Sequence, residues 1–170
     1  MATCMGGMGR VFDGGYAEYT CVPANQVMVI KKQLPWELLG ALPEMMNTAW
    51  GGLFKSLRLQ KDDHLLIRGG TTSVGLAAAA IAKNLGAWVA VTTRKPEREE
   101  MLRANGADEV YIDHGSIAEE VKRRHPGKFS KVLEIIGVST LADTMQCVRD
   151  HGIVCIIGGT SGKVRSCLCP

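Results

Sequence analysis

The chain of 170 residues is poor in aromatic side chains and contains no long hydrophobic run. Phe, Trp and Tyr together make up 5% of the residues. No apolar stretch reaches the roughly 18 residues that a membrane-spanning helix needs. The first residues also lack the charged segment and apolar segment with which a secretion signal begins. We therefore expect a cytoplasmic protein without a membrane partner.

Neither sign of charge dominates the composition, because 20 Lys and Arg residues stand against 17 Asp and Glu residues, for a net charge of +3. The basic residues are mixed with acidic ones, so we expect no nucleic-acid partner. Apolar residues make up 46% of the chain, which is enough for a buried core and excludes a disordered protein. The six cysteines are scattered, and the expectation is reduced thiols.

From residue 64 onward, short apolar segments alternate with segments of helical composition. The pattern predicts strands over 64–68, 88–93, 109–112, 131–136 and 153–157, and helices over 73–86, 96–105, 116–124 and 139–149. This alternation is typical of a parallel sheet whose right-handed crossover helices cover both faces. The expected fold class is therefore α/β, with a doubly wound parallel sheet.

The first 60 residues have a different pattern. Aromatic and β-branched residues predict a strand over 15–22, and a second short strand is expected over 26–30. An apolar helical segment spans 36–57, where Pro43 predicts a break between two helices. Later in the chain, the spacing of Ser116 and Glu119 matches a capping box and predicts Ser116 as a helix N-cap.

A turn rich in small residues lies between the first strand of the series and the helix that follows. It reads Gly69-Gly70-Thr71-Thr72-Ser73-Val74-Gly75. A helix start behind a strand suits a pyrophosphate, because its backbone N–H groups and dipole favour negative charge. The dinucleotide pattern G-x-G-x-x-G would place glycines at 70, 72 and 75, but residue 72 is threonine. A tight turn in some other doubly wound protein is the alternative.

The second strand ends in Thr92-Thr93-Arg94-Lys95. An NAD site usually carries an acidic residue there, which binds the ribose 2′-hydroxyl. Cations and hydroxyls would instead accept a 2′-phosphate, so NADP is favoured over NAD. The alternative is a solvated helix start, since three glutamates within residues 97–100 nearly balance the cations.

An ordered set of short motifs, spread over about residues 12–160, carries a family resemblance. They are Asp13-Gly14-Gly15-Tyr16, Gly40-Ala41-Leu42-Pro43 with Thr48, the turn 69–75, Asn105-Gly106-Ala107-Asp108, Glu134-Ile135-Ile136-Gly137, and Gly152-Ile153-Val154 with Gly158-Gly159. The chain resembles part of a medium-chain dehydrogenase/reductase, on the zinc-independent quinone-oxidoreductase side of that superfamily. Members are about twice as long.

The resemblance implies a Rossmann-type domain over 36–160, preceded at 1–35 by a remnant of a β-rich, GroES-like catalytic domain and followed at 161–170 by an atypical tail. It also implies the residues around NADP. Those near the pyrophosphate are Gly70, Thr71, Thr72, Ser73, Val74 and Gly75. Thr48 and Val74 would lie near the nicotinamide. Thr93, Arg94 and Arg98 would surround the 2′-phosphate, Ile136 and Gly137 would flank the adenine, and Gly158 the carboxamide.

No metal site is expected. The zinc-using members carry a cysteine four residues before the threonine at 48, and here residue 44 is glutamate. The four histidines, at 64, 114, 125 and 151, are predicted to face solvent. No catalytic acid, base or nucleophile is identified.

The resemblance implies an NADPH-dependent oxidoreductase that reduces a quinone or an activated alkene, such as an enone or alkenal. The alternative is an NADP-binding module that lacks the substrate domain and does not catalyse. The last apolar strand, 153–157, would form a sheet edge that invites pairing with another chain, so a homodimer is a further expectation.

Overall fold

The computed structural model describes residues 7–9, 11–31 and 33–159. The chain divides into two compact units, Met1–Met45 and Met46–Pro170. Five strands form one sheet in the second unit: β1 His64–Arg68, β2 Trp88–Thr93, β3 Glu109–Ile112, β4 Phe129–Glu134 and β5 Val148–Ile156. The helices are α1 Trp36–Trp50, α2 Ser73–Leu85, α3 Glu99–Ala104, α4 Ala118–Arg124 and α5 Val138–Gln146. This confirms the α/β class.

All neighbouring strands are parallel, in the order β3-β2-β1-β4-β5. The order reverses between β1 and β4, and the carboxyl ends of strands at such a reversal frame a crevice. Residues alternate between the two faces: Leu65 and Ile67 pack into one core cluster, and Leu66 packs into the other. β5 lies at an edge of the sheet, as the sequence predicts. It begins at Val148 and not at the predicted residue 153, because the strand already pairs with β4 at Val148 and then continues from Ile153 after an irregular stretch over 149–152.

The first unit corrects two predictions. No strand forms at 15–22 or 26–30 in the part of the chain that the structure describes, where a short 3₁₀ turn covers Ala24–Gln26. Strand propensity alone is insufficient, because a strand needs a neighbour to pair its backbone groups. The assignment of residues 1–35 to a domain remnant stays a prediction, and the tail 161–170 lies outside the described residues.

The break predicted at Pro43 is also wrong. α1 continues through that proline, and the irregularity comes later, where a π-helical segment, Gly51–Ser56, follows directly. Proline has no N–H, so the helix loses one internal hydrogen bond at Pro43. The remaining hydrogen bonds of this 15-residue helix are enough to continue it. Within the described residues, no helix is long and apolar enough to cross a membrane.

The start of α4 shows a long-range cap in place of the predicted local one. Ser116 does not cap the helix, whose flanking residue is Ile117. Instead, the Asp143 carboxylate on α5 accepts hydrogen bonds from the N–H groups of Ile117 at 2.9 Å and Ala118 at 3.2 Å. Ser116 Oγ donates to the same carboxylate at 2.6 Å. The side chain of Asp143 therefore satisfies the helix start from another element.

An aromatic stack lies at the amino end of the sheet, and it corrects the expectation that every histidine simply faces solvent. His125 is half-buried, its ring stacks on Trp88 and Phe129, and its Nε2 lies 3.1 Å from Nδ1 of His64. Burial and the neighbouring His64 lower the pKa of His125, against an opposing effect of Glu109. The folded state therefore resists protonation at this ring.

We expect the protein to lose stability as the pH falls below about 6.5, the ordinary histidine pKa. In that range the unfolded chain binds a proton at His125 before the folded chain does, so acidification favours unfolding. Urea unfolding between pH 5 and 7.5 measures this effect. His125→Gln should flatten the profile, whereas His151→Gln, at an exposed position, should leave it unchanged. An equally steep profile in His125→Gln would contradict the assignment.

Candidate functional site

The turn after β1 is held by both neighbouring elements. Gly69 has φ +98°, and its N–H donates to Thr92 Oγ1 on β2 at 3.0 Å. The N–H of Gly70 donates to the Thr92 carbonyl at 3.0 Å. Thr72 is the N-cap of α2: its hydroxyl accepts from the N–H of Gly75 and donates to the Gly69 carbonyl, both at 2.9 Å. The threonine at a usual glycine position therefore closes the turn.

Two glycines of this turn have no room for a side chain. A Cβ at Gly75 would lie 2.5 Å from the Gly69 carbonyl oxygen and 3.0 Å from backbone atoms of Gly70. A Cβ at Gly70 would lie 2.7 Å from Cβ of Val91. The turn and α2 therefore touch through bare backbone. The N–H groups of Ser73 and Val74 lie in the first turn of α2, where a helix offers them no internal acceptor.

A cleft of about 530 Å³ opens beside this turn, along the carboxyl ends of the first four strands. It is lined by Gly69, Thr71, Thr72, Thr92, Thr93, Arg94, Asp113, His114, Gly115, Ile136 and Thr140. Five of the residues implied by the resemblance are thus brought together in its lining: Thr71, Thr72, Thr93, Arg94 and Ile136. Arg94 and His114 are exposed, so this cleft can place the cationic guanidinium of Arg94 against a ligand.

The other implied residues do not line this cleft. Gly70, Gly75 and Gly137 are buried, Ser73 and Val74 begin α2, Arg98 is exposed in the 3₁₀ turn Pro96–Arg98, Gly158 follows β5, and Thr48 lies on α1. A Cβ at Gly158 would lie 1.8 Å from the Ile135 carbonyl oxygen, so only glycine fits there. The role of each residue toward a cofactor stays a prediction.

A buried ionic cluster lies next to the cleft. The guanidinium of Arg68, at the end of β1, pairs with Asp113 at 2.9 Å and Asp143 at 2.7 Å. Burial alone would lower the pKa of Arg68, but these two carboxylates outweigh it and raise the pKa. Burial would likewise raise the pKa of Asp143, but the hydrogen bonds from residues 116–118 and the charge of Arg68 lower it. Arg68 and Asp143 therefore stay ionised at neutral pH.

A second buried carboxylate organises the start of α5. Glu134 ends β4, and its Oε1 accepts from the N–H groups of Ile136 at 2.8 Å and Gly137 at 3.0 Å. Its Oε2 accepts from the Thr144 hydroxyl at 2.6 Å. That hydroxyl in turn accepts from Arg68 at 2.8 Å. The hydrogen bonds of Glu134 therefore fix the turn 134–137, which places Ile136 in the lining of the cleft.

Comparison with known proteins agrees with this geometry. The family model described as zinc-binding dehydrogenase matches residues 73–168, more than half of the chain. The chain belongs to the zinc-binding dehydrogenase family. The family lies in the medium-chain dehydrogenase/reductase superfamily, in agreement with the motifs of the chain. The chain covers the Rossmann part of such a protein.

Three relatives show how far the similarity extends along this chain. The mitochondrial NAD(P)H oxidoreductase RTN4IP1 of Danio rerio is 32% identical over 131 residues, which cover 75% of this chain and 33% of that protein. The crystal structure of AibC has a TM-score of 0.86 at 27% identity, over 93% of this chain and 45% of that chain. An NAD-dependent alcohol dehydrogenase has a TM-score of 0.80 at 28% identity, over 90% and 45%. The chain spans less than half the length of each.

The family name implies zinc, but the described residues do not fit a zinc site. Zinc in proteins takes three or four Cys, His, Asp or Glu ligands. No group of three such residues converges within residues 7–9, 11–31 and 33–159. Glu44, at the position of the implied cysteine, would be a lone carboxylate donor. We therefore derive no chemistry through a metal, and the expectation of no metal site stays a prediction.

Sequence reasoning missed one wall of the cleft, formed by residues 113–115, and Thr140 on the opposite wall. A signal was available for the first, because Asp113 directly follows a predicted parallel strand, and the carboxyl ends of parallel strands meet at one edge. Thr140 and the two other partners of Arg68 on α5, Asp143 and Thr144, had no such signal. They depend on how α5 packs against the sheet.

Proposed function

We propose that this chain is the dinucleotide-binding part of an NADPH-dependent oxidoreductase. The observation that carries the proposal is the cleft at the strand-order reversal, with Arg94 exposed at the end of β2. No acidic residue stands in the sequence 92–95, where a ribose 2′-hydroxyl would need one. Among the described residues that line the cleft, Asp113 is the acidic one, and its charge is paired with Arg68. A 2′-phosphate would therefore meet little repulsion from the residues that line the cleft.

The cofactor fits the residues that would hold it. The tight backbone contact at Gly75 places the start of α2 beside the turn, where a pyrophosphate would receive N–H groups and the helix dipole. Thr93 and Arg94 would bind the 2′-phosphate, and Ile136 would contact the adenine. When bound, NADPH supplies a hydride to a quinone or to the β-carbon of an enone, and a proton from solvent completes the reduction. The chain's residues supply position and charge.

The substrate class and the whole protein's activity rest on the resemblance to quinone oxidoreductases. The second candidate is a non-catalytic NADP-binding module, which would use the same cleft to hold the dinucleotide without turning over a substrate. Turnover of quinones or enones by the 170-residue chain itself would refute the module. A cytoplasmic location, and a homodimer formed through the exposed edge at β5, belong to the same proposal.

Calorimetric titration of the chain with NADPH and with NADH tests the cofactor assignment. We expect tighter binding of NADPH, because a charge-assisted hydrogen bond to the phosphate has no counterpart in NADH. Arg94→Ala should weaken NADPH binding about 10-fold, equivalent to about 1.4 kcal/mol, and leave NADH unchanged. Arg123→Ala, an exposed arginine on α4 away from the cleft, is the matched control. Equal affinity for the two cofactors would refute the assignment to NADPH.

A further inference from the structure

Arg68 contacts both walls of the cleft from beneath. Its side chain is completely buried at the end of β1, and it is absent from the residues that line the cleft. We infer that Arg68 is a positioning residue, which holds the two walls at the separation that the adenosine half of the cofactor requires. This inference rests on the proposed function, and it concerns a residue that contacts no ligand itself.

The first wall, residues 113–115 after β3, is held by a two-pronged contact. Nε of Arg68 donates to Asp113 Oδ2 at 2.9 Å, and Nη2 donates to Oδ1 at 3.2 Å. Nη2 also donates to the carbonyl of Gly115 at 3.3 Å. Asp113 Oδ1 closes the loop by accepting from the N–H of Gly115 at 2.8 Å. The wall that presents His114 to the cleft therefore depends on the guanidinium for its shape.

The second wall, residues 136–140 at the start of α5, is held by the remaining nitrogen. Nη1 donates to the carbonyl of Thr140 at 3.1 Å, and Thr140 is itself one of the residues that line the cleft. Asp143 Oδ2 at 2.7 Å and Thr144 Oγ1 at 2.8 Å, on the next turn of the helix, share the two hydrogens of the same nitrogen with that carbonyl. One planar group thus contacts both walls, and the nearest residues it binds in them, Gly115 and Thr140, are 25 residues apart in sequence.

Lysine could not reproduce this arrangement. Its ammonium group is a single point charge, whereas the guanidinium is a rigid fork whose prongs point in fixed directions. In Arg68→Lys the ammonium could reach one wall but not both. The positive charge between Asp113 and Asp143 would remain, so the variant separates the geometry of the fork from the neutralisation of the buried carboxylates.

The test compares Arg68→Lys with the wild-type 170-residue chain and with Arg124→Lys. Arg124 is the matched control, since it pairs with Glu109 and Glu120 at the other end of β3, away from the cleft. Calorimetry with NADPH and with adenosine 2′,5′-bisphosphate measures affinity at a temperature where all three proteins are folded. We expect both ligands to bind Arg68→Lys at least about 10-fold more weakly, and Arg124→Lys to bind both as the wild type does.

Amide hydrogen exchange supplies a readout that a merely stabilising role would not move. It should rise at residues 113–115 and 138–140 in Arg68→Lys while the centre of β1 stays protected. A folded Arg68→Lys with wild-type affinity for both ligands overturns the inference and leaves the proposed function intact. A wild-type chain that binds neither ligand overturns the proposed function, and this inference with it.

If Arg68→Lys does not fold, Asp113→Asn replaces it, because the amide keeps the shape of the side chain and accepts one of the two hydrogen bonds. Faster exchange confined to residues 113–115, with weaker binding of adenosine 2′,5′-bisphosphate, supports the inference. Unchanged affinity in folded Asp113→Asn overturns it.

Discussion

Gly75→Val should abolish dinucleotide binding and strongly destabilise the protein. A Cβ at this position meets the Gly69 carbonyl oxygen at 2.5 Å, and both partners are backbone of the same tight turn, so neither can move aside. We expect a loss of about 3 kcal/mol in the free energy of unfolding, at the upper end of what overpacking costs. Affinity for NADPH should fall at least about 100-fold, equivalent to about 2.7 kcal/mol, because α2 is displaced from the turn.

Gly51→Ala is the matched control for this substitution. Gly51 is also helical, but a Cβ there meets nothing within 4 Å, so alanine should be neutral or stabilise by up to about 1 kcal/mol through its helix propensity. Urea unfolding and calorimetric titration of both variants measure the two effects. A Gly75→Val protein with wild-type stability would show that the turn and α2 are not in backbone contact.

The sheet could be predicted from sequence because strands such as β1 and β2 are short runs of mostly buried residues. β1, β2 and β3 have the predicted bounds, and all of Leu65, Leu66 and Ile67 are buried regardless of the face on which they lie. A strand covered on both faces is apolar throughout, so composition alone locates it. The requirement for glycine at residue 75 could also be predicted, because it is local: a Cβ there would meet backbone atoms of Gly69 and Gly70.

Two of the wrong predictions concern features that depend on distant partners. Residues 15–22 have the composition of a strand but pair with no neighbour in the described structure. Ser116 has the spacing of an N-cap, but the carboxylate of Asp143, 27 residues later, accepts the hydrogen bonds at the helix start. Local spacing cannot reveal such a competitor. The same limit applies to the site. The proposed roles of Thr93 and Arg94 follow from a rule about the end of one strand, whereas the hydrogen bonds from Arg68 to α5 appear only once the helix is placed on the sheet.

Glu134→Leu should destabilise the protein by about 3 kcal/mol, the second large effect that the structure predicts. The substitution removes the acceptor for the N–H groups of Ile136 and Gly137, and Gly137 is buried, so its amide finds no water. A buried donor left unpaired costs about 1–3 kcal/mol, and the two buried donors that lose this acceptor are the N–H of Gly137 and the hydroxyl of Thr144. Leucine fills most of the volume, so a cavity contributes little. Chemical denaturation measures the change.

Glu134→Gln distinguishes lost hydrogen bonds from lost charge. The glutamine amide oxygen can still accept from both backbone N–H groups, and its NH₂ group can donate to the Thr144 hydroxyl, which now must reverse its own role and donate elsewhere. The Thr144 hydroxyl already accepts from Arg68, so this reversal should cost about 1 kcal/mol. If Glu134→Gln were as unstable as Glu134→Leu, the negative charge itself would hold the turn. Because Arg68 already pairs with Asp113 and Asp143, we expect the hydrogen bonds to dominate.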